Sequence, residues 1–231
     1  VINSSFSASS TKWINLVTHT PNWYDGDYSM YISKMYWYES STEYTVAAIA
    51  AVIGMFTFTT FLPISVIMGA ISYTGSWALF RTFATKYPAY TKHVAWCTLF
   101  IPSTIMWGSG LFKDTICMFS IGWMTYGAFR MLLSKDFSVK NIVLTVISFI
   151  LVAKIKLYIL LAFIPAIALW ILFSYSHKIQ SAITRNVIKI GVVLACMGGF
   201  LIFSQKFAAE LGRFSLDNVA KTSYALNTYI A

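Results

Sequence analysis

Between Asn141 and Tyr175 almost every residue is Ile, Leu, Val, Phe or Ala, yet Lys154 and Lys156 stand in the middle of the run. As one helix this run would reach roughly 50 Å at ~1.5 Å per residue, against a hydrocarbon core of ~30 Å. A lysine held at the centre of a bilayer costs at least ~2.5 kcal/mol. The run is therefore expected to fold back at Ala153-Lys154-Ile155-Lys156, where both ammonium groups can reach one membrane surface.

The rest of the chain points the same way. Apolar residues make up 58% and charged residues only 11%, with a mean hydropathy of +0.66; soluble domains carry about 25% charge. The net charge of +9 comes from Lys and Arg gathered in short connections between apolar segments, which is a topology signal rather than a nucleic-acid one. Cys97, Cys117 and Cys196 lie far apart inside apolar segments and read as small buried hydrophobes, without metal-ligand spacing.

Residues 1–44 are polar and rich in Trp and Tyr, as suits an extracytoplasmic loop at the headgroup level. Val46–Met55 is too short to span and reads as interfacial or re-entrant. Pro63 opens a span over Ile64–Phe83. His93–Met106 is a short segment broken by Pro102, and Thr115–Leu133 is a second clear span. The split pair around the two lysines and a last span, Val187–Phe203, precede a polar tail over 206–231. The expected fold is an all-α polytopic membrane protein of about six or seven transmembrane or re-entrant helices, its membrane domain covering 45–205. Basic connections at 81–92, 134–140 and 177–187 belong in the cytoplasm. That orientation puts the N-terminal loop, the Gly108–Asp114 turn and the lysine pair on the outer side.

Two stretches could carry chemistry. Pro102-Ser103, then Trp107-Gly108-Ser109-Gly110-Leu111-Phe112-Lys113-Asp114, ends in an acid at the start of a span. Asp114 suits a helix first turn on dipole grounds alone. Trp23-Tyr24-Asp25-Gly26-Asp27-Tyr28 sets two carboxylates among aromatic rings; it can be a base with stacking faces or a plain Asp-Gly turn. No GxxxxGK[ST], HExxH, CxxC or GxSxG run is present.

The Pro-Ser, Trp-Gly-Ser-Gly, Lys-Asp order resembles the second outer loop of integral-membrane glycosyltransferases of the C superfamily. The likeness is closest to bacterial members related to the protein mannosyltransferase and lipid A aminoarabinose transferase families, and covers about residues 45–205. The resemblance implies a sugar moved from a polyprenyl-phosphate-linked donor to an acceptor on the outer face of a bacterial inner membrane. Asp25, Asp27 and Asp114 would be the catalytic acids, and Asp114 would also help hold a divalent cation, Mg or Mn. Lys154, Lys156 and Tyr158 would meet the lipid phosphate, Trp23 and Tyr28 would offer ring faces to the sugar, and Lys113 and Trp107 would be substrate-binding. In that superfamily the catalytic acid follows a first span that this chain, starting at Val1, does not contain; the chain is expected to be trimmed or part of a longer one. The other reading is a non-enzymatic scaffold or accessory subunit of a larger membrane complex. A transporter ranks behind both, for lack of midplane charges or paired broken helices.

Overall fold

The computed structural model describes residues 1–20, 25–36, 38–176, 190–194 and 198–199, and all regular structure among them is helical. Most of the expected last span, the basic connection at 177–187, the tail over 206–231 and Trp23 lie outside the described residues. The chain divides into two compact units, Val1–Met131 with Asp136–Ile155, and Leu132–Lys135 with Lys156–Ala231.

The first unit begins with three short helices, α1 (Ile2–Phe6), α2 (Ser10–Val17) and α3 (Gly26–Ser33). The expectation of a loop over 1–44 is corrected here. These helices pack on α4 (Ser41–Phe56), and Ile2, Leu16, Tyr28, Tyr38, Tyr44 and Ala48 form one buried core. The polar groups inside it are satisfied. Tyr44 donates its hydroxyl proton to the Leu16 carbonyl at 2.5 Å, and Asn15 Nδ2 donates to the Tyr28 oxygen at 2.9 Å. Helices this short have little stability of their own, so tertiary burial holds them.

Two helices are long and apolar enough to cross a membrane, Phe61–Lys86 and the stretch Lys113–Leu133. The first is α5. The second is α8 (Lys113–Ala128) continued by a π-helical turn, Phe129–Leu133. Between them come α6 (Thr91–Leu99) and α7 (Pro102–Gly108), separated at Phe100-Ile101 ahead of the helix-starting Pro102. The helix α9 (Val139–Ile155) closes this unit.

Helices α5 and α8 run parallel. The Thr74 hydroxyl accepts from Trp123 Nε1 at 3.2 Å, and Arg81 lies 5.9 Å from the ring of Tyr126, so contacts climb both helices together. Their approach needs glycine. A methyl group added at Gly75 would overlap the Phe119 backbone, and one added at Gly122 would fall on the Gly75 carbonyl. Helix α9 returns antiparallel to α8, with Thr145 and Asn141 against Gly127. The interior of this bundle mixes small polar residues with apolar ones: Ser72, Ser76, Thr82, Thr115, Ser120, Thr125 and Ser148 are buried beside Met68, Ile116, Met124 and Val152. Its outside is large and apolar. On α9, Val139, Ile142, Val143, Val146, Ile147 and Ile150 form an exposed stripe at helical spacing.

In the second unit, α10 (Leu157–Ser176) follows with Pro165 inside it. Lys156 stands outside both helices, so the long apolar run is interrupted at the lysines, where the sequence calls for a break.

Candidate functional site

Helix directions decide which candidates can meet. Because α8 and α9 are antiparallel, the first turn of α8, with Lys113 and Asp114, and the last turn of α9, with Lys154, share one end of the bundle. Helix α4 reaches that end as well, since Glu43 in its first turn forms an ion pair with Lys113. Trp107 packs edge-on against Phe112 at 5.7 Å, just ahead of that turn, and is half exposed. The Thr115 hydroxyl donates to the carbonyls of Gly110, at 2.6 Å, and Trp107, at 3.2 Å, which ties the Trp-Gly-Ser-Gly turn to α8. The site is thus a closed turn with an acid and a base at a helix start.

Asp25 and Asp27 form a separate cluster. Lys12 on α2 holds both, at 3.1 Å from Asp25 and closely paired with Asp27. Asp25 is also the N-cap of α3, accepting from the Asp27 backbone N–H at 3.1 Å. That bond and Lys12 hold the Asp25 carboxyl below the usual carboxylate range, and the two acids push the Lys12 ammonium up to about 12. A carboxylate stabilised as the anion is a poor proton acceptor. The Asp-Gly pair here caps a helix and binds a lysine. Tyr28 is corrected in the same way: its ring is buried in the N-terminal core, so it presents no face for a sugar. Lys156 and Tyr158 belong to the second unit.

The feature that sequence reasoning missed is a cleft of about 610 Å³ along α4, a size at which small-molecule sites occur (roughly 300–1,000 Å³). At one end stand Glu43, Lys34, Tyr36 and Tyr38; Ala47, Ala50 and Ala51 floor the middle; Thr59, Ile64 and Asn3 close the other end. Tyr38 and Tyr44 meet edge-to-face at 5.1 Å, and His19 stacks on Tyr44 at 4.4 Å. Burial pushes the Tyr44 phenol up to about 12 and also raises that of Tyr38. The only signal for the cleft was Glu43 beside an Ala-rich apolar run, and its partner Lys113 is remote in sequence.

Beside the cleft the chain turns from α4 to α5 through Phe58 and Thr59, both left-handed, with φ of 51° and 58°. Such geometry costs about 1–3 kcal/mol per non-glycine residue and persists only when the surroundings impose it. Here the Thr59 N–H donates to the Gly54 carbonyl at 2.9 Å, and Asn3 Nδ2 reaches the Thr59 hydroxyl at 3.5 Å.

Asp114 was also the expected metal ligand. No group of three or more His, Cys, Asp or Glu side chains suited to a metal ion exists among the described residues. No protein-family model, characterised protein or solved structure matches this chain.

Proposed function

We propose that this is a polytopic protein of a bacterial plasma membrane that moves a sugar from a polyprenyl-phosphate donor to an acceptor on the outer face. The observation that carries the reading is the gathering of Lys113, Asp114, Glu43 and the Lys154 turn at one end of a bundle with an apolar outside. Small residues where helices approach closely, as at Gly75 and Gly122, with large apolar ones outside, are what helices packed in lipid use. The opposite end bears Arg81, Lys86 and the Arg130–Asp136 ion pair at 2.7 Å, as the positive-inside rule places them.

In this reaction the acceptor oxygen attacks the anomeric carbon while the bond from that carbon to the phosphate oxygen breaks. Asp114 takes the acceptor proton. Lys154 meets the charge growing on the leaving lipid phosphate, which lowers the barrier as that charge develops. The test is release of polyprenyl phosphate from a polyprenyl-phosphate sugar by the reconstituted chain. Asp114→Asn is expected to slow release by about 10²–10⁴-fold. Equal release with and without Asp114 would overturn the role, and no release by the intact chain would overturn the activity.

One observation favours the second reading, an accessory subunit of a larger complex. Asp25 and Asp27 are engaged by Lys12, and Glu43 by Lys113, so three of the acids near this face already serve structural ion pairs. Co-purification of a fixed partner with a chain inactive on its own would support it.

A further inference from the structure

The cleft along α4 has a direction that the proposed reaction does not use. From Glu43 to Ala51 it follows the helix for roughly 12 Å at 1.5 Å per residue. It is charged and aromatic at one end, and floored by alanine and Ile64 beyond. Glu43 is neutralised by Lys113, which leaves Lys34 as the lining cation at the polar end. At the far end stands the strained turn, whose side chains point away from the fold: Phe58 is 93% exposed and Phe56 83%. Phe61 and Leu62 continue that exposed apolar surface onto α5. An exposed apolar patch of this kind, continuous with an apolar groove, marks a contact with lipid or with a partner.

We propose that this groove binds a single apolar chain of an anionic amphiphile, entering from the bilayer past the Phe56–Leu62 turn. The chain lies over Ala47, Ala50, Ala51 and Ile64, and the headgroup meets Lys34 and the tyrosine hydroxyls. A protein partner fits less well, because the floor of the groove is the helix α4, which offers no row of free backbone groups to pair. The inference rests on the membrane part of the proposed function and is independent of sugar transfer. It is also distinct from the lysines at the α9 end, since none of its lining residues is Lys154 or Lys156.

The experiment uses the full chain in phosphatidylcholine bilayers carrying phosphatidylglycerol with a photoreactive diazirine in one acyl chain. Cross-links are expected at Ala50, Ala51 and Ile64, beside general labelling of the outward α9 stripe at Ile147 and Ile150. Ala50→Trp should lower groove labelling by about ten-fold, equivalent to ~1.4 kcal/mol, and leave α9 labelling intact. In the unaltered chain, excess dodecyl phosphate should suppress groove labelling alone, which keeps the test decisive if the variant misfolds. Lys34→Glu should weaken groove labelling by phosphatidylglycerol and not by a photoreactive phosphatidylcholine. Labelled α9 with an unlabelled groove, or a groove signal indifferent to both Ala50→Trp and dodecyl phosphate, overturns this inference. Equal labelling by the two headgroups overturns the anionic assignment. An unlabelled α9 overturns the membrane reading itself, so the two failures are distinguishable.

Discussion

The N-terminal helices and the α5–α8–α9 bundle differ in what they add to a buried apolar core and in what they leave outside. In the first, Leu16, Tyr28, Tyr38 and Tyr44 go inside, and the charges of Lys12, Asp25 and Asp27 stay at the surface. In the second, serine, threonine and glycine go inside along with Met68, Ile116, Met124 and Val152, and Val143, Val146, Ile147 and Ile150 face out. Water drives the first arrangement, because removing apolar area from it stabilises by about 25 cal/mol per Å². Lipid gives no such drive between helices, so close backbone approach and dispersion take over. The proposed membrane placement would give the two cores different solvents, and the groove along α4 draws lining residues from both.

The largest expected effect comes from the bundle. Gly122→Leu sets a side chain against the Gly75 backbone, which cannot rotate away. The loss should exceed the ~1–3 kcal/mol of ordinary overpacking, read as thermal unfolding in detergent. A neutral Gly122→Leu would mean that α5 and α8 do not cross there. In the N-terminal core, Leu16→Ala empties a fully buried site and should cost about 2–5 kcal/mol. Ile147→Ala, on the exposed stripe, should shift detergent stability by less than ~0.5 kcal/mol, and the contrast between these two aliphatic truncations sharpens the comparison. Between these two falls Tyr44→Phe, which leaves the Leu16 carbonyl without its donor and should cost about 1 kcal/mol.

The smallest effect is in pH. The Asp25 carboxyl is held low in the folded chain, so its contribution is present above the ordinary carboxylate pKa. It is lost as pH falls through the lower folded value. For Lys12 the sign reverses: its contribution is present below the ordinary lysine pKa and lost as pH rises toward about 12. Lys12→Met should flatten the acid limb of N-terminal unfolding by removing the partner that Asp25 and Asp27 share. An unchanged acid limb would assign it to other carboxylates.

Much of the architecture was legible in the residues, for a physical reason. Proline and charge are local signals: Pro102 and Lys154–Lys156 mark boundaries that the helices respect at Pro102–Gly108 and Ile155, while Pro63 falls inside the first turn of Phe61–Lys86. The N-terminal helices were not legible. At five and eight residues, α1 and α2 are too short for a sustained period, and their stability comes from a core assembled with Tyr44 and Ala48. The site was legible in part. Lys113 and Asp114 stood out from their turn, whereas Glu43 gains meaning only through Lys113, a long-range pairing that no spacing encodes. Asp25 and Asp27 attracted attention because paired carboxylates suit catalysis, yet the same pair suits a helix cap and a lysine.

The central claim is that the bundle's outside faces lipid. A nitroxide placed at Ile147, in a chain whose native cysteines are replaced, reports this in reconstituted bilayers through its collisions with oxygen and with a water-soluble nickel chelate. A second label at Met30 on α3, exposed on the N-terminal helices, gives the comparison. The account predicts that Ile147 relaxes with oxygen and ignores nickel, while Met30 responds to nickel. Nickel access at Ile147 equal to that at Met30 would contradict it.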